Sequence, residues 1–362
     1  MKKGGLYLKL FSLLNKNIIS IDLGSYETKV VQGSRNKEEI KIEKAFSFST
    51  PPSSYENGNI KNQYILINII KQELKENKAA SGSCHLNIKS TEIITREIPF
   101  PVLDDKEIEG LLKYQLVEYL PMDYSKYVIQ HKPIGKIVNQ GIEKLNVLVV
   151  AIPKDMVDMH YEFVRELGLK PAVLDYQSNG IWKFLKFTDS INGNIVPSEK
   201  TIAAIDLGYG STNITIVDNG TIQINRVIDL GGQSLDNNAA NLIAVSVDEL
   251  QSKKLEIEDV SMVDEGFSDY NRYVNIVKTS MEGIIDRVDR VFKYYISKEA
   301  DNEIQQLVLY GGLSKIKGVD KLFSSYFGIP AVILDRASKV SLGDDLNKYI
   351  NCVGALIRDD EV

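Results

Sequence analysis

The sequence has few residues of the kinds that build disulfide frameworks or metal centres. Its 362 residues include two cysteines, Cys84 and Cys352, which are far apart, so neither a disulfide scaffold nor a zinc-type cysteine cluster is expected. The three histidines, at positions 85, 131 and 160, show no metal-ligand spacing. These scarcities favour a protein of a reducing compartment.

Long apolar runs and an excess of positive charge are also missing. No run of about 18 apolar residues occurs, so no transmembrane helix is predicted. The formal net charge of -6 argues against nucleic acid as a partner, because phosphate backbones favour basic surfaces. Lys2 and Lys3 precede an apolar stretch that Lys9 and Ser12 interrupt, and no cleavage site follows, so no signal peptide is predicted. That stretch is either a helix packed on its own domain or an amphipathic contact to a membrane or partner.

What the sequence does contain is an internal repeat. Residues 18–31 read IISIDLGSYETKVV, and residues 202–215, about half the chain later, read IAAIDLGYGSTNIT. A single duplication at this spacing predicts two related halves rather than a solenoid. The chain is long enough for two domains, and its 43% hydrophobic and 25% charged residues are typical of a globular protein.

Each repeat predicts a β-hairpin suited to phosphate binding. A buried strand ends in Asp-Leu-Gly, at Asp22 and Gly24 in the first copy and at Asp206 and Gly208 in the second. Glycine lets backbone N–H groups approach an anion, and a carboxylate can hold a hydrated magnesium ion. Two facing hairpins would clamp a polyphosphate from both sides.

The remaining chain alternates predicted helices and strands. Helices are expected at 62–77, 154–167, 276–297 and 318–327, and strands at 146–152 and 306–310. Residues 99–150 differ, because Pro99 and Pro101 precede an apolar helix and strand-like segments, which indicates an inserted subdomain. A polar stretch at 188–199 is interpreted as the linker between the halves.

These motifs resemble the actin, sugar-kinase and heat-shock ATPase superfamily. The order IDLGSYETK, AIDLGYGST and LYGGLSKIKGV is that of two phosphate hairpins followed by a strand that enters Gly-Gly. The resemblance implies an α/β fold of the actin-like (ribonuclease H-like) type, duplicated into two domains with an inserted α/β subdomain in the first half. It also implies that the Gly-Gly turn lies beside the adenosine and that Lys29 reaches the phosphates.

Within the superfamily the chain resembles the PilM family of type IV pilus assembly proteins, relatives of FtsA. The segments REIPFPVLDDKEIEGLLKYQLVEYLPMD, YGGLSKIKGVDKLFSSYFGIPAVILD and NCVGALIR carry this resemblance. It implies an ATP-binding cytoplasmic scaffold, peripheral at the inner membrane. Such a scaffold binds the cytoplasmic N-terminal tail of a single-pass, PilN-like membrane partner and communicates with the assembly platform and motor ATPases. Self-association is left open.

The resemblance also implies a domain division and a set of site residues. Residues 1–98 with 170–197 would form subdomain 1A, residues 99–169 the partner-binding insert 1C, and residues 198–362 the second half, with subdomain 2B at about 233–300. The predicted residues for ATP are Asp22, Gly24, Ser25, Tyr26, Glu27, Lys29, Asp206, Gly208, Gly210, Ser211, Thr212, Lys254, Gly311, Gly312, Ser314 and Lys315. Asp22 and Asp206 would hold Mg²⁺ through water, and Ile108, Leu111 and Leu112 are assigned to partner binding.

Two other functions of the superfamily are alternatives to this scaffold. An FtsA-like filament former would end in an amphipathic membrane-targeting helix, whereas this sequence ends NCVGALIRDDEV. An ATP-dependent kinase or phosphatase of the superfamily would need a substrate pocket and a catalytic base, and neither motif is found. ATP binding is therefore predicted, with hydrolysis weak or absent.

Overall fold

The computed structural model describes residues 17–79, 82–104, 106–112, 123–139, 141–243, 247–262, 268–343 and 345–358. The strands are β1 (Ile18–Asp22), β2 (Glu27–Arg35), β3 (Ile40–Ser49), β4 (Tyr55–Glu56), β5 (Asn59–Ile60), β6 (Ser83–Ile88), β7 (Ile94–Phe100), β8 (Tyr127–Asn139), β9 (Ile142–Pro153), β10 (Lys170–Tyr176), β11 (Ile202–Leu207), β12 (Thr212–Asp218), β13 (Thr221–Ile228), β14 (Gln306–Tyr310), β15 (Ala331–Ile333) and β16 (Val340–Ser341). The helices are α1 (Gln63–Glu76), α2 (Lys154–Glu166), α3 (Gln177–Phe187), α4 (Gly232–Ile243), α5 (Val247–Glu256), α6 (Asp269–Lys298), α7 (Val319–Phe327) and α8 (Leu346–Leu356), and residues 106–112 are also helical.

The two main sheets repeat one topology. The first sheet has the order β10-β6-β1-β2-β3-β16, and the second has the order β13-β12-β11-β14-β15. In each sheet the first three strands of the repeat run antiparallel, and the next two pair in parallel. The predicted duplicated α/β fold is therefore confirmed at the level of strand order.

Helices cover these sheets because the central strands are apolar on both faces, as parallel strands require. Ile19 and Ile21 of β1 pack with Leu66 of α1 and Phe163 of α2, while Ile205 of β11 belongs to a second core with α6. Helix α1 begins after Asn62, whose side chain accepts a hydrogen bond from the Ile65 N–H, a favourable amino-terminal cap. The predicted helices at 62–77, 154–167 and 318–327 match α1, α2 and α7 within a residue, whereas α6 begins at Asp269, before the predicted 276.

Helices α3 and α8 form a third core between the two sheets. Trp182 and Phe184 of α3 and Tyr349 and Val353 of α8 pack against residues of both sheets, including Val308 of β14. The backbones of the two helices approach so closely that a Cβ on Gly354 would lie 2.5 Å from the Gly180 carbonyl oxygen. The contact between the halves is thus a packed core.

The packing differs from the predicted domain division at three places. Strand β16 pairs with β3 and α8 packs on β1 and β2, so the chain returns to the first half within the range 198–362 predicted for the second. Helix α2, placed in the insert 99–169 by prediction, buries Met156 and Phe163 in the core of the first half. Residues 188–199 are hydrogen-bonded to residues 333–338 and are therefore more than a linker.

The insert itself is a three-stranded antiparallel sheet of order β7-β9-β8 with the helical residues 106–112 on one side. Ile108 and Leu112 are buried in its core beside Phe100 and Val147, and Leu111 is half-buried. The rest of the predicted apolar helix, including positions 116 and 120, lies outside the described residues. Among the helices that are described, none is both long and apolar enough to cross a bilayer.

The close contact of α3 with α8 gives a stability prediction. In Gly354→Ala the new methyl group would meet the Gly180 backbone, which cannot move aside as a flexible side chain can. We expect the free energy of unfolding, measured by chemical denaturation, to fall by about 1–3 kcal/mol.

Gly283→Ala on α6 is the matched control. A Cβ there has no heavy atom within 4 Å, so the same substitution should raise the free energy of unfolding by about 0.5–1 kcal/mol through helix propensity. Equal effects of the two substitutions would contradict the close α3–α8 packing.

Candidate functional site

The two predicted hairpins face each other across one cleft. Their tips are residues 23–26, between β1 and β2, and residues 208–211, between β11 and β12. The rings of Tyr26 and Tyr209 lie 4.8 Å apart, and a Cβ on Gly210 would lie 2.8 Å from Ser25 Oγ. Both tips line a cavity of about 720 Å³ that also reaches α5, the turn after β14 and the start of α8.

Most of the predicted nucleotide residues line this cavity. They are Asp22, Gly24, Ser25, Tyr26, Glu27, Lys29, Asp206, Gly208, Gly210, Ser211, Lys254, Gly311, Gly312 and Lys315. The other two lie behind its wall. Thr212 is buried and its hydroxyl donates to the Leu230 carbonyl at 2.8 Å, while Ser314 is buried and donates to the Gly311 carbonyl at 2.7 Å.

The two aspartates at the floor of the cleft share one amide donor. Asn351 of α8 lies with its Nδ2 3.3 Å from Asp22 Oδ2 and 3.4 Å from Asp206 Oδ2. Gln177 at the start of α3 donates a further hydrogen bond to Asp22 Oδ1 at 2.9 Å. The carboxylates near the carboxyl-terminal ends of β1 and β11 are therefore held by α3 and α8, the two helices of the central core.

Each aspartate also faces a lysine. Lys29 Nζ lies 3.9 Å from Asp22 Oδ2, and Lys89 Nζ lies 3.2 Å from Asp206 Oδ2. Burial disfavours the charged form of Lys29, but the carboxylates of Asp22, Glu27 and Asp206 outweigh it and raise the pKa of Lys29. The ammonium group is thus retained in a negatively charged environment.

Ion pairs fasten the start of α8 to both sides of the cleft. Lys348 pairs with Glu27 at 2.7 Å, and Lys315 pairs with Asp345 at 2.7 Å. Burial disfavours the Glu27 carboxylate, yet its hydrogen bond from Lys348 and the nearby Lys29 charge lower its pKa overall. The first hairpin and the Gly-Gly turn are therefore both connected to one helix end.

The turn after β14 needs glycine at its first position. Gly311 has a φ of 90°, and a Cβ there would lie 2.3 Å from Asp206 Oδ1. Its N–H donates to Asn347 Oδ1 of α8 at 3.1 Å. A side chain at Gly311 would displace the carboxylate, so this turn and the second hairpin are fitted to each other.

Lys254 reaches the cleft from α5 and is held by a buried ion pair. Its Nζ lies 2.5 Å from Asp236 Oδ1 of α4. Burial lowers the pKa of Lys254, and the Asp236 carboxylate partly opposes that effect. This predicted residue is therefore held in place by a carboxylate of α4.

Several cleft residues were not predicted from the sequence. Lys89, Gln177, Asn347, Lys348 and Asn351 all line the cavity. Asn347 and Asn351 are four residues apart on a helix that is otherwise mostly apolar and buried, which is the one sequence signal that could have identified them. Lys89 and Gln177 carry no such pattern.

The cavity fits a nucleotide in size and chemistry. Its volume lies within the range of roughly 300–1,000 Å³ that is usual for small-molecule sites. Gln177, Tyr310 and Asn351 line it, and each has a buried polar atom, Oε1, OH and Oδ1 respectively, without a hydrogen-bond partner among the described residues. For magnesium, two carboxylates converge on the floor, and Mg²⁺ usually takes one or two carboxylates from protein when phosphates and water complete its shell. In the same described part of the chain, no group of three or more His, Cys, Asp or Glu residues forms a separate metal site.

Two copies of one sheet topology, each presenting a glycine-containing hairpin to a shared cleft, define an actin-like ATPase fold. The chain belongs to the type IV pilus assembly protein PilM family, whose model matches residues 20–350. Among solved structures, a PilM–PilN type IV pilus biogenesis complex is similar with a TM-score of 0.77 at 18% identity, covering 94% of this chain and 98% of that one.

More distant structures share the fold. The ethanolamine utilization protein EutJ from Carboxydothermus hydrogenoformans has a TM-score of 0.55 at 13% identity, over 93% of this chain and 88% of its own. MreB5 of Spiroplasma citri bound to ADP has a TM-score of 0.53 at 14% identity, over 94% of each chain. These comparisons confirm the predicted actin-like α/β fold and the predicted resemblance to PilM.

Proposed function

We propose that this chain is a nucleotide-binding scaffold of type IV pilus assembly that holds ATP with magnesium between its two hairpins. The observation that carries the proposal is the convergence of both hairpins, Asp22 and Asp206 on one cavity of about 720 Å³. The MreB5 structure with ADP supports the proposal, because a protein of the same fold is a nucleotide complex. The bound magnesium would offset phosphate charge.

The cleft residues divide into two groups in this proposal. Backbone N–H groups of residues 24–27 and 208–212, with the Lys29 ammonium, would bind phosphates. Gly311, Gly312, Lys315 and Lys254 would border the nucleoside. Asp22 and Asp206 would hold magnesium through water.

Binding without rapid hydrolysis follows from the surroundings of the two carboxylates. Asp22 accepts hydrogen bonds from Gln177 and Asn351, and Asp206 accepts them from Lys89 and Asn351. A carboxylate whose oxygens already accept hydrogen bonds from amide and ammonium donors is less able to accept a proton from an attacking water.

The second part of the proposal is a protein partner at the membrane. The similar PilM–PilN structure supports a PilN-like partner, whose cytoplasmic tail would bring this chain to the inner face of the inner membrane. Strand β8 is an edge of the insert sheet and contacts α2 of the first half, so an extended tail could add to its first residues. Farther along β8, Lys132 lies 4.2 Å from the Trp182 ring and Ile134 is buried, which leaves residues 127–131 for the tail. Contacts with the assembly platform and motor belong to the same proposal.

Nucleotide binding is tested by calorimetric titration of ATP with magnesium into the purified protein. We expect about one equivalent to bind, and an affinity at least about tenfold weaker in the double variant Asp22→Asn with Asp206→Asn, because charge that holds the metal is lost. Asp158→Asn with Asp301→Asn changes the same charge at exposed positions and should bind as the unaltered protein does. No binding by the unaltered protein would refute the ATP site.

Tail binding is tested with a labelled peptide of the first residues of the PilN-like protein, followed by fluorescence anisotropy. Of the three predicted partner residues, Leu111 alone has a half-exposed side chain, so Leu111→Asp should weaken binding at least about tenfold while ATP binding persists. Ile142→Asp, at the exposed start of β9, is the control and should bind normally. An unchanged affinity in Leu111→Asp would exclude tail binding at the helical residues 106–112 of the insert.

A further inference from the structure

Lys89 is a cleft lysine of the first half whose ammonium group lies at the hairpin of the second. It follows directly after β6. Its Nζ lies 3.2 Å from Asp206 Oδ2 and 3.3 Å from the Ser211 carbonyl oxygen, and its side chain is 17% exposed. The ammonium group is therefore held at the base of the second hairpin by two acceptors.

The second hairpin is shaped to admit this ammonium group. A Cβ on Gly208 would lie 2.8 Å from Lys89 Nζ and 2.7 Å from the Ser211 carbonyl oxygen. A side chain at position 208 would have to displace the ammonium group or the hairpin backbone. This packing, the two acceptors and the low exposure of Lys89 distinguish its position from that of a solvated surface lysine.

The position of Lys89 relative to the Gly-Gly turn points to one end of the bound nucleotide. A Cβ built on Gly311 would meet Asp206 Oδ1, whereas the Lys89 ammonium group lies beside Asp206 Oδ2. In the proposed function the nucleoside borders Gly311 and Gly312. The phosphate chain would then extend past Asp206 toward Lys89, so that the terminal phosphate comes nearest to its ammonium group.

The ion pairs of the cleft show why Lys89 would become available. Lys254, Lys315 and Lys348 pair with carboxylates that have no role in holding the metal in the proposed function. Lys89 instead pairs with Asp206, which would turn to hydrated magnesium when the nucleotide binds. Its ammonium group then gains a phosphate oxygen as acceptor, a charge-assisted hydrogen bond.

We propose that Lys89 contacts the terminal phosphate and makes this cleft prefer ATP over ADP. This inference rests on the proposed function, since it needs a nucleotide in the cleft. Because Lys89 belongs to the first half and its hairpin partners to the second, the terminal phosphate also joins the two halves. The phosphate would take the place of Asp206 Oδ2, which accepts from Lys89 across the same contact between the halves.

The test is calorimetric titration of ATP and of ADP, each with magnesium, into the unaltered protein and into Lys89→Met and Lys89→Arg. We expect Lys89→Met to bind ATP at least about tenfold more weakly and ADP within about twofold of the unaltered protein, since one charge-assisted hydrogen bond is lost to the terminal phosphate alone. Lys89→Arg keeps the charge and should retain a preference for ATP.

Lys186→Met is the matched control, because it removes one positive charge from an exposed position of α3. Lys89→Gln replaces Lys89→Met if thermal melting shows that the latter does not fold. Equal losses for ATP and ADP, or no loss for either, would overturn the role of Lys89 while leaving the nucleotide site intact. No nucleotide binding by the unaltered protein would instead overturn the proposed function and this inference with it.

Discussion

The shared hydrogen bonding of Asp22 and Asp206 to Asn351 is the constraint on which the rest of the cleft depends. Each aspartate lies at the carboxyl-terminal end of the central strand of its own half, and Asn351 projects from the helix packed between the halves. Two carboxylates that converge without a donor between them would repel each other, so the amide fixes their separation. Helix α8 can supply that amide because glycines at 180 and 354 let it approach α3 at backbone distance.

Because of this arrangement, the contact between the two halves and the binding site share the same residues. The first turn of α8 holds Glu27 of the first hairpin through Lys348 and the Gly-Gly turn through Asn347, while α3 holds Asp22 through Gln177. A ligand that changes the spacing of the hairpins must therefore also shift α8 or its contacts. Allosteric coupling between a cleft ligand and a partner on the insert would be reciprocal, so each would change the affinity for the other by the same factor. Such coupling needs a structural element whose position depends on both binding sites.

The sequence was informative where chemistry is local and uninformative where it depends on packing. The hairpins at Asp22 and Asp206 could be predicted because strand, carboxylate and glycine are contiguous and occur twice. The return of α8 to the first half could not, since apolar residues on most sides of a helix do not show which sheet it covers. Lys89 was missed for a related reason: a lysine after a strand is usually solvated, and only the tertiary structure places its ammonium group 3.2 Å from Asp206 Oδ2. The same limit applies to Ile108 and Leu112, whose apolar character suits a partner and a core equally.

The central claim is that the two hairpins bind one phosphate chain from opposite sides. Its most direct test is a crystal structure of the protein with magnesium and a non-hydrolysable ATP analogue. The account predicts the triphosphate between residues 23–26 and 208–211, with the Tyr26 and Tyr209 rings farther apart than 4.8 Å. Asp22 and Asp206 should then face the metal, with Asn351 still between them. Nucleotide bound outside this cleft, or hairpins that stay in contact with no phosphate between them, would contradict it.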